Sequence, residues 1–186
     1  FGNPVLKATT SYQTVASAKL IRGFASGDLP ETALELSNIS SSLGGSERDI
    51  YLREDATEHK VKVLDLMPYR VLAFATHGLM AGERAGLAEP ALVLTSPDKP
   101  TAIDDGYLTS SEVSRLQLNA DWVLLSACNT ASGNDQNSEG LSGLARAFFY
   151  AGARAMLVSH WKVASKATVK LISRIFESMA NNNALG

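Results

Sequence analysis

The sequence has little cysteine, no long apolar run and no excess of either charge. Because Cys128 is the one cysteine in 186 residues, an intrachain disulfide and a secreted disulfide scaffold are excluded. The longest apolar runs, such as Trp122 to Ala127 and Ala155 to Val158, are far shorter than the ~20 residues that a membrane-spanning helix needs. Lys and Arg number 17 and Asp and Glu 19, so the formal charge of −2 argues against a non-specific nucleic-acid binder.

An initial methionine and a basic, apolar signal pattern are also missing, so we interpret residues 1–186 as one domain cut from a longer protein. Apolar residues make up 45% of the chain and charged residues 19%, which excludes a disordered or coiled-coil protein. A reducing compartment fits the single cysteine, and we expect a cytoplasmic location, with any targeting segment outside this sequence.

Short apolar runs alternate with longer amphipathic stretches, a pattern typical of an α/β fold with a mostly parallel sheet. Several runs are apolar on both faces, as a sheet covered by helices on both sides requires. The predicted strands are Pro4–Leu6, Asp49–Leu52, Arg70–Ala75, Ala91–Thr95, Trp122–Ala127 and Arg154–Ser159.

The amphipathic stretches predict helices, and two of them carry a start signal. Asp55 with Glu58, and Thr109 with Glu112, each have the spacing of a capping box. The predicted helices are Glu31–Leu43, Ala56–Met67, Thr109–Leu116, Gly140–Ala151 and Ala164–Ala180. The remaining long stretches, Leu79–Pro90 and Asn129–Glu139, are predicted to be loops.

Two predicted strands end in side chains that suit acyl transfer. His77 follows the strand Arg70–Ala75, and Cys128 follows the strand Trp122–Ala127. A cysteine attacks a carbonyl as thiolate, and an imidazole returns a proton to the leaving amine. The carboxyl ends of parallel strands lie side by side, and the separation of 51 residues is close to the roughly 50 found in caspases. A Cys-His dyad is therefore one interpretation of this pattern.

The backbone next to these residues offers donors for an oxyanion. Gly78 leaves room for a carbonyl to approach its N–H, and the N–H of Cys128 is the second candidate donor. The alternative interpretation is structural: a cysteine at the end of an apolar strand is often a small buried hydrophobic residue, and a strand-end histidine is often satisfied by backbone. The two residue types alone leave both interpretations open.

Further blocks of sequence extend the pattern around His77 and Cys128. They are Ala75-Thr76-His77-Gly78, Leu125-Ser126-Ala127-Cys128-Asn129-Thr130, Glu139-Gly140-Leu141 and Ala151-Gly152-Ala153-Arg154. These blocks resemble the motifs of the CHAT domain, a caspase-like family related to caspases, separase and gingipain. The resemblance runs from about Gly2 to Trp161 and beyond, nearly the whole chain.

The resemblance implies a caspase-like three-layer sandwich, in which helices cover both faces of a mostly parallel sheet. It implies a cysteine endopeptidase with His77 and Cys128 as the catalytic dyad and with no metal or organic cofactor. The partners it implies are a protein or peptide substrate and a flanking repeat domain, since the family often follows tetratricopeptide repeats; nucleic acid and membrane are not expected. The alternative is a catalytically latent interaction or signalling module that needs its flanking repeats.

The substrate pocket is less well defined by the sequence. Many family members carry an acidic residue shortly after the Trp-x-Val motif, which here is Trp161-Lys162-Val163 and is followed by Ala164 and Ser165. Trp161 and Ser165 are expected to border the pocket for the residue before the scissile bond. Asp135 and Glu139 are alternative sources of the missing charge, or they keep a polar loop solvated. The preference of the pocket stays open.

Other chemistries have weaker support in the sequence. His160 is expected to be a satisfied strand-end histidine, and His59 a solvent-facing residue of a helix. A zinc site from His77, Cys128 and His160 lacks the paired spacing of zinc ligands. The glycine patterns of phosphate-binding loops, the arginine of a tyrosine phosphatase and the serine elbow of the α/β-hydrolases are also missing.

Overall fold

The computed structural model describes residues 1–5, 30–83, 86–101, 103–126 and 136–158, together with Arg174 and Ser178. Side chains are described in these ranges except at positions 30, 31 and 136–141. Within the continuous described ranges, the helices are α1 Pro30–Ser42, α2 Glu58–Val63, α3 Ser110–Val113 and α4 Gln136–Ala151, with a 3₁₀ helix at Glu47–Asp49. The strands are β1 Gly2–Pro4, β2 Leu52–Arg53, β3 Val71–Phe74, β4 His77–Leu79, β5 Ala91–Val93, β6 Tyr107–Thr109, β7 Trp122–Leu125 and β8 Ala155–Val158.

Strands β3, β7 and β8 form a parallel sheet in that order. Their last residues are in register, since Phe74 pairs with Leu125 and Leu125 with Val158. Each strand lies within a predicted one, so the α/β class and the parallel pairing are confirmed. A second parallel pair joins β1 to β2, and the backbone nitrogen of Phe1 donates to the carbonyl of Ala73 at 2.8 Å. The chain start therefore runs alongside β3.

Strands β4, β5 and β6 form a separate antiparallel sheet, which corrects the expectation of one mostly parallel sheet. The predicted strand Ala91–Thr95 contributes β5 to this second sheet, whereas β4 and β6 were not predicted. The physical reason is connectivity: a parallel crossover needs a dozen or more residues and usually a helix. The described residues between β4 and β5, and between β5 and β6, contain no helix.

The parallel sheet is covered on both faces. On one face, Leu72, Phe74, Val123 and Leu125 pack in a large apolar cluster that also contains Phe148 of α4. This cluster extends to Val61 of α2 and Val113 of α3. On the other face, Leu124 packs with Ile39 of α1, and the half-buried Val71, Ala73, Trp122 and Leu157 surround them. The alternation of side chains along β3 and β7 thus divides the core into two halves.

The helix starts agree with the sequence in one case and differ in another. Thr109 caps α3, and its hydroxyl and the Glu112 carboxylate form the predicted capping box. The predicted box of Asp55 and Glu58 is wrong, because Thr57 caps α2. Glu58 is instead fully buried and accepts the backbone N–H groups of Asp105 at 2.8 Å and Gly106 at 2.7 Å. The Glu58 carboxylate therefore binds distant backbone amides rather than the helix start that its spacing predicted.

Most other boundaries differ from the predictions by a few residues. The predicted strand Asp49–Leu52 is shifted to β2, because Ser46 caps the 3₁₀ helix with Asp49. The predicted strand Pro4–Leu6 begins earlier, at β1, and its last residue is outside the described part of the chain. The predicted helices Ala56–Met67 and Thr109–Leu116 are shorter, whereas Glu31–Leu43 agrees with α1 to within one residue at each end. Only positions 174 and 178 of Ala164–Ala180 are described, and both are helical.

Candidate active site

The ends of β3 and β7 bring two segments of chain to one edge of the parallel sheet. Phe74 and Leu125 are register partners, and the N–H of Ser126 donates to the carbonyl of Phe74 at 2.8 Å. His77 follows Phe74 by three residues, and Cys128 follows Leu125 by the same number. Cys128 lies outside the described residues, and the described chain stops at Ser126, two residues before it.

His77 begins β4 and belongs to the antiparallel sheet rather than to the parallel one. It pairs with Val93 of β5, and the hydroxyl of the buried Thr76 donates to the Val93 carbonyl. His77 is buried, with 8% of the residue's surface exposed. The backbone of His77 is therefore held at the junction between the two sheets.

The amide of Gly78 points away from β5. The N–H of Leu94 donates to the carbonyl of Gly106 at 2.8 Å, so the even-numbered residues of β5 direct their polar groups toward β6. Because these groups alternate along an antiparallel strand, the odd-numbered Val93 faces β4 and bonds with His77. Gly78, one residue further, directs its N–H to the opposite side, and β4 ends the described sheet on that side.

A partly buried ion-pair cluster ties β6 to the helices and so supports the antiparallel sheet. The Lys62 ammonium forms ion pairs with the carboxylates of Glu58 and Glu112, and its Nζ lies 2.7 Å from Glu112 Oε1. The same Nζ donates a hydrogen bond to the Ile103 carbonyl at 2.6 Å. Glu58 also receives the amides that lead into β6. This cluster connects α2, α3 and the start of β6, and the pairing of β6 with β5 and β5 with β4 extends the support to His77.

Glu35 of α1 is a buried carboxyl group next to the end of β7. Its side chain is fully buried, and its Oε1 accepts a hydrogen bond from the hydroxyl of Ser126 at 2.8 Å. Among the described residues, its Oε2 has no hydrogen-bond partner. Burial raises the pKa of this carboxyl to about 7, and the Ser126 hydrogen bond opposes that rise. A group that exchanges a proton near neutral pH thus lies at the strand end that leads to Cys128.

Sequence reasoning did not single out Glu35, and it used Ser126 only as part of a motif. The signal available in the sequence is a helical spacing. Thr32, Glu35, Leu36 and Ile39 recur at intervals of three and four residues and are all buried. A charged residue in that buried stripe indicates a specific polar partner on the sheet.

The predicted substrate-binding residues are not tested by the structure. Asp135, Trp161 and Ser165 lie outside the described residues, as does His160. Glu139 is part of α4, although its side chain is not described, so the predicted loop Asn129–Glu139 is wrong from position 136 onward. Residues 136–139 are all polar, so no apolar spacing in the sequence marks this earlier helix start.

His59 is exposed on α2, as predicted. The described residues of the Leu79–Pro90 loop contain no helix or strand after Leu79. Within the described ranges, no three His, Cys, Asp or Glu side chains are grouped closely enough to ligate a metal ion. None of the helices described has both the length and the apolar character needed to cross a bilayer.

Comparison with known proteins gives one result. The model of the family described as the CHAT domain matches residues 2–185, which is nearly the whole chain. No curated protein and no solved structure matches this sequence.

Proposed function

The chain belongs to the CHAT domain family, and on this premise we propose that it is a cysteine endopeptidase of the caspase-like class. The observation that carries the proposal is the register of the parallel sheet. Phe74 and Leu125 are directly paired, and each precedes its candidate residue, His77 or Cys128, by three positions. The two candidate residues therefore follow paired strand ends by the same number of residues, which favours a shared cleft at this edge of the sheet.

In the proposed reaction, the Cys128 thiolate attacks the carbonyl carbon of the scissile peptide bond. The S–C bond forms, the C–N bond breaks, and the His77 imidazolium gives its proton to the leaving amine. His77 then takes a proton from water, whose oxygen attacks the thioester and releases the acid and the thiol. No oxidant or cofactor is needed for this balance.

The orientation of Gly78 supports its proposed role as an oxyanion donor. Its N–H is directed away from β5 and is not needed by that strand pairing. An amide held at a strand edge is preorganised, so it stabilises the developing negative charge without first breaking another bond. The N–H of Cys128 is the proposed second donor.

We also propose the caspase-like three-layer sandwich as the architecture. The supporting observation is that α1 covers one face of the parallel sheet while α2, α3 and α4 cover the other. Asp135, Glu139, Trp161 and Ser165 remain the proposed substrate-binding residues, and the preference of the pocket is left open. A flanking repeat domain is the proposed regulator.

The test is cleavage of a peptide library that presents every residue type at the position before the scissile bond. Wild-type protein is expected to cleave one class of peptides, and Cys128→Ala and His77→Ala are each expected to lower kcat/KM by ~1,000-fold or more. His59→Ala is the matched control, since His59 is an exposed histidine on α2. Undiminished cleavage by Cys128→Ala would show that the thiol is not the nucleophile.

A second candidate function, a latent interaction module, is favoured by the burial of His77. With 8% of the residue exposed, the imidazole is largely closed to a peptide. The single cysteine makes the distinction simple, because iodoacetamide labels Cys128 alone. Labelling faster than that of a free thiol supports the peptidase, and labelling at the free-thiol rate supports the latent module.

A further inference from the structure

A cavity of about 390 Å³, which we call the β3 slot, lies between the chain that leads into β2 and the first residues of β3. Residues 49–51 line one side, residues 71–73 line the other, and Phe1 lies at the end where β1 begins. Ligand-binding pockets have volumes of ~300–1,000 Å³, so the slot is large enough for an occupant. Because β1 lies between β2 and β3, the slot continues the line of β1 and has the position of an extended strand.

Strand β3 directs alternate backbone groups into the slot. The carbonyls of Arg70 and Phe74 accept from the chain of β7, so the odd-numbered residues of β3 direct their polar groups to the other side. The Ala73 carbonyl accepts from the backbone nitrogen of Phe1 at 2.8 Å on that side. Within the described residues, the Ala73 N–H and the Val71 carbonyl, which come next, make no hydrogen bond.

The opposite side of the slot offers a further donor. The Tyr51 carbonyl accepts the Gly2 N–H at 3.0 Å, so the N–H of Tyr51 is directed to the same side and faces the slot. This N–H has no partner in the described part of the chain. Half-buried backbone groups without partners cost free energy, and a strand that bonds to both sides removes that cost. An occupant with a peptide backbone is therefore favoured over a purely apolar molecule.

The two faces of the slot are apolar. Leu36 and Ile39 of α1 line it on one face, and Leu64 and Leu66 line it on the other. Leu36, Ile39 and Leu66 are buried, and Leu64 is half-buried. Successive side chains of a strand point to opposite faces, so a strand in the slot needs consecutive apolar residues rather than an alternating pattern.

We propose that the β3 slot binds an extended peptide with consecutive apolar residues as an added strand parallel to β3. One peptide residue donates to the Val71 carbonyl and accepts from the Ala73 N–H, and the next accepts from the Tyr51 N–H. The parallel direction continues the pairing of β1 with its two neighbours. The slot lies along the first half of β3, whereas the candidate active site follows the last residue of this strand, so the two sites are distinct.

The test is fluorescence anisotropy of an N-terminally labelled peptide, Lys-Thr-Val-Ile-Val-Thr amide, titrated with the full chain. We expect saturable binding and slower hydrogen exchange at the amides of Ala73 and Tyr51 in the complex. N-methylation of the central isoleucine removes one donor while keeping the side chains, and it should weaken binding at least ~10-fold. N-methylation of the terminal lysine, outside the apolar run, is the matched control and should have little effect.

A pair of protein variants locates the peptide. Leu64→Trp places a larger side chain in the slot and should weaken binding at least ~10-fold. Val63→Trp is the matched control, because Val63 is 61% exposed and does not line the slot. Urea unfolding checks that both variants fold, and the peptide comparison needs wild type alone.

Equal binding of the peptide with and without the isoleucine N-methyl group, or exchange at Ala73 that the peptide does not slow, overturns the proposal. Sedimentation is the remaining measurement. A wild-type dimer that Leu64→Trp abolishes and Val63→Trp keeps would also overturn it, since the occupant would then be a second copy of this chain.

Discussion

Replacing Glu35 by glutamine is expected to stabilise the folded chain at neutral and alkaline pH. Burial raises the pKa of Glu35 from 4.5 to about 7 in the folded state. Since one pKa unit corresponds to ~1.4 kcal/mol, the difference between folded and unfolded chain amounts to ~3 kcal/mol. Below about pH 4.5 the carboxyl is protonated in both states, and this cost is absent.

The sign of the effect follows from proton binding. Between about pH 4.5 and 7 the unfolded chain has released the proton while the folded chain keeps it, so the free energy of unfolding decreases as pH rises. Above about pH 7 the full cost is present and the dependence on this group ends. Glutamine has no such equilibrium, and its advantage over Glu35 should therefore grow by ~3 kcal/mol from acid to alkaline pH.

The assay is urea unfolding of wild type, Glu35→Gln and the exposed control Glu54→Gln at several pH values from about 4.5 to about 8.5. Carboxyls with lowered pKa values, such as Asp49, Glu89 and Asp121, lose stabilising contacts at acid pH in all three proteins, so their effects cancel in the difference. A difference between Glu35→Gln and wild type that stays constant within ~0.5 kcal/mol over this range would refute the reasoning.

Two further predictions concern packing, each with a control of the same chemistry. Gly152→Ala is expected to cost ~3 kcal/mol or more, because φ is +113° and an added Cβ would lie 2.2 Å from the Leu118 carbonyl oxygen. Gly82→Ala, at φ +78° but with open space around it, should cost only ~1 kcal/mol in the same urea unfolding. Phe148→Ala should cost about 3–5 kcal/mol because the ring is fully buried in the large cluster. Phe149→Ala, with the side chain 48% exposed, should lower the urea midpoint far less, and equal losses for the two phenylalanines would contradict the assigned core.

The parallel sheet could be predicted because its strands are apolar on both faces. Residues of β3 and β7 pack against helices on either side, so the apolar runs are unbroken and easy to recognise. The strands β4 and β6 have three residues each, and Gly78 lies in the middle of the first. A run that short carries no periodicity, so its pairing with β5 was decided by tertiary contacts alone.

The sequence offered candidate site residues where a reactive side chain follows a strand end, and their role stays a prediction. His77 and Cys128 stand out because reactive side chains follow apolar runs. Glu35 was not found, because the partner that explains it is 91 residues away in sequence. Glu58 shows the same limit, since its spacing suggested a helix cap while its real partners are the amides of a distant turn. Local patterns do not reveal which buried carboxyl finds a remote donor.

The alternation of side chains along β7 determines both which residues enter each half of the core and which residue contacts Glu35. Val123 and Leu125 face one cluster, whereas Leu124 contacts the α1 side and Ser126 reaches Glu35 there. Adding or removing a single residue within β7 would exchange these two sets, placing the hydroxyl among aliphatic side chains and leaving the carboxyl opposite a leucine. Evolutionary changes in length should therefore fall in the connections before and after this strand, while its internal spacing stays fixed.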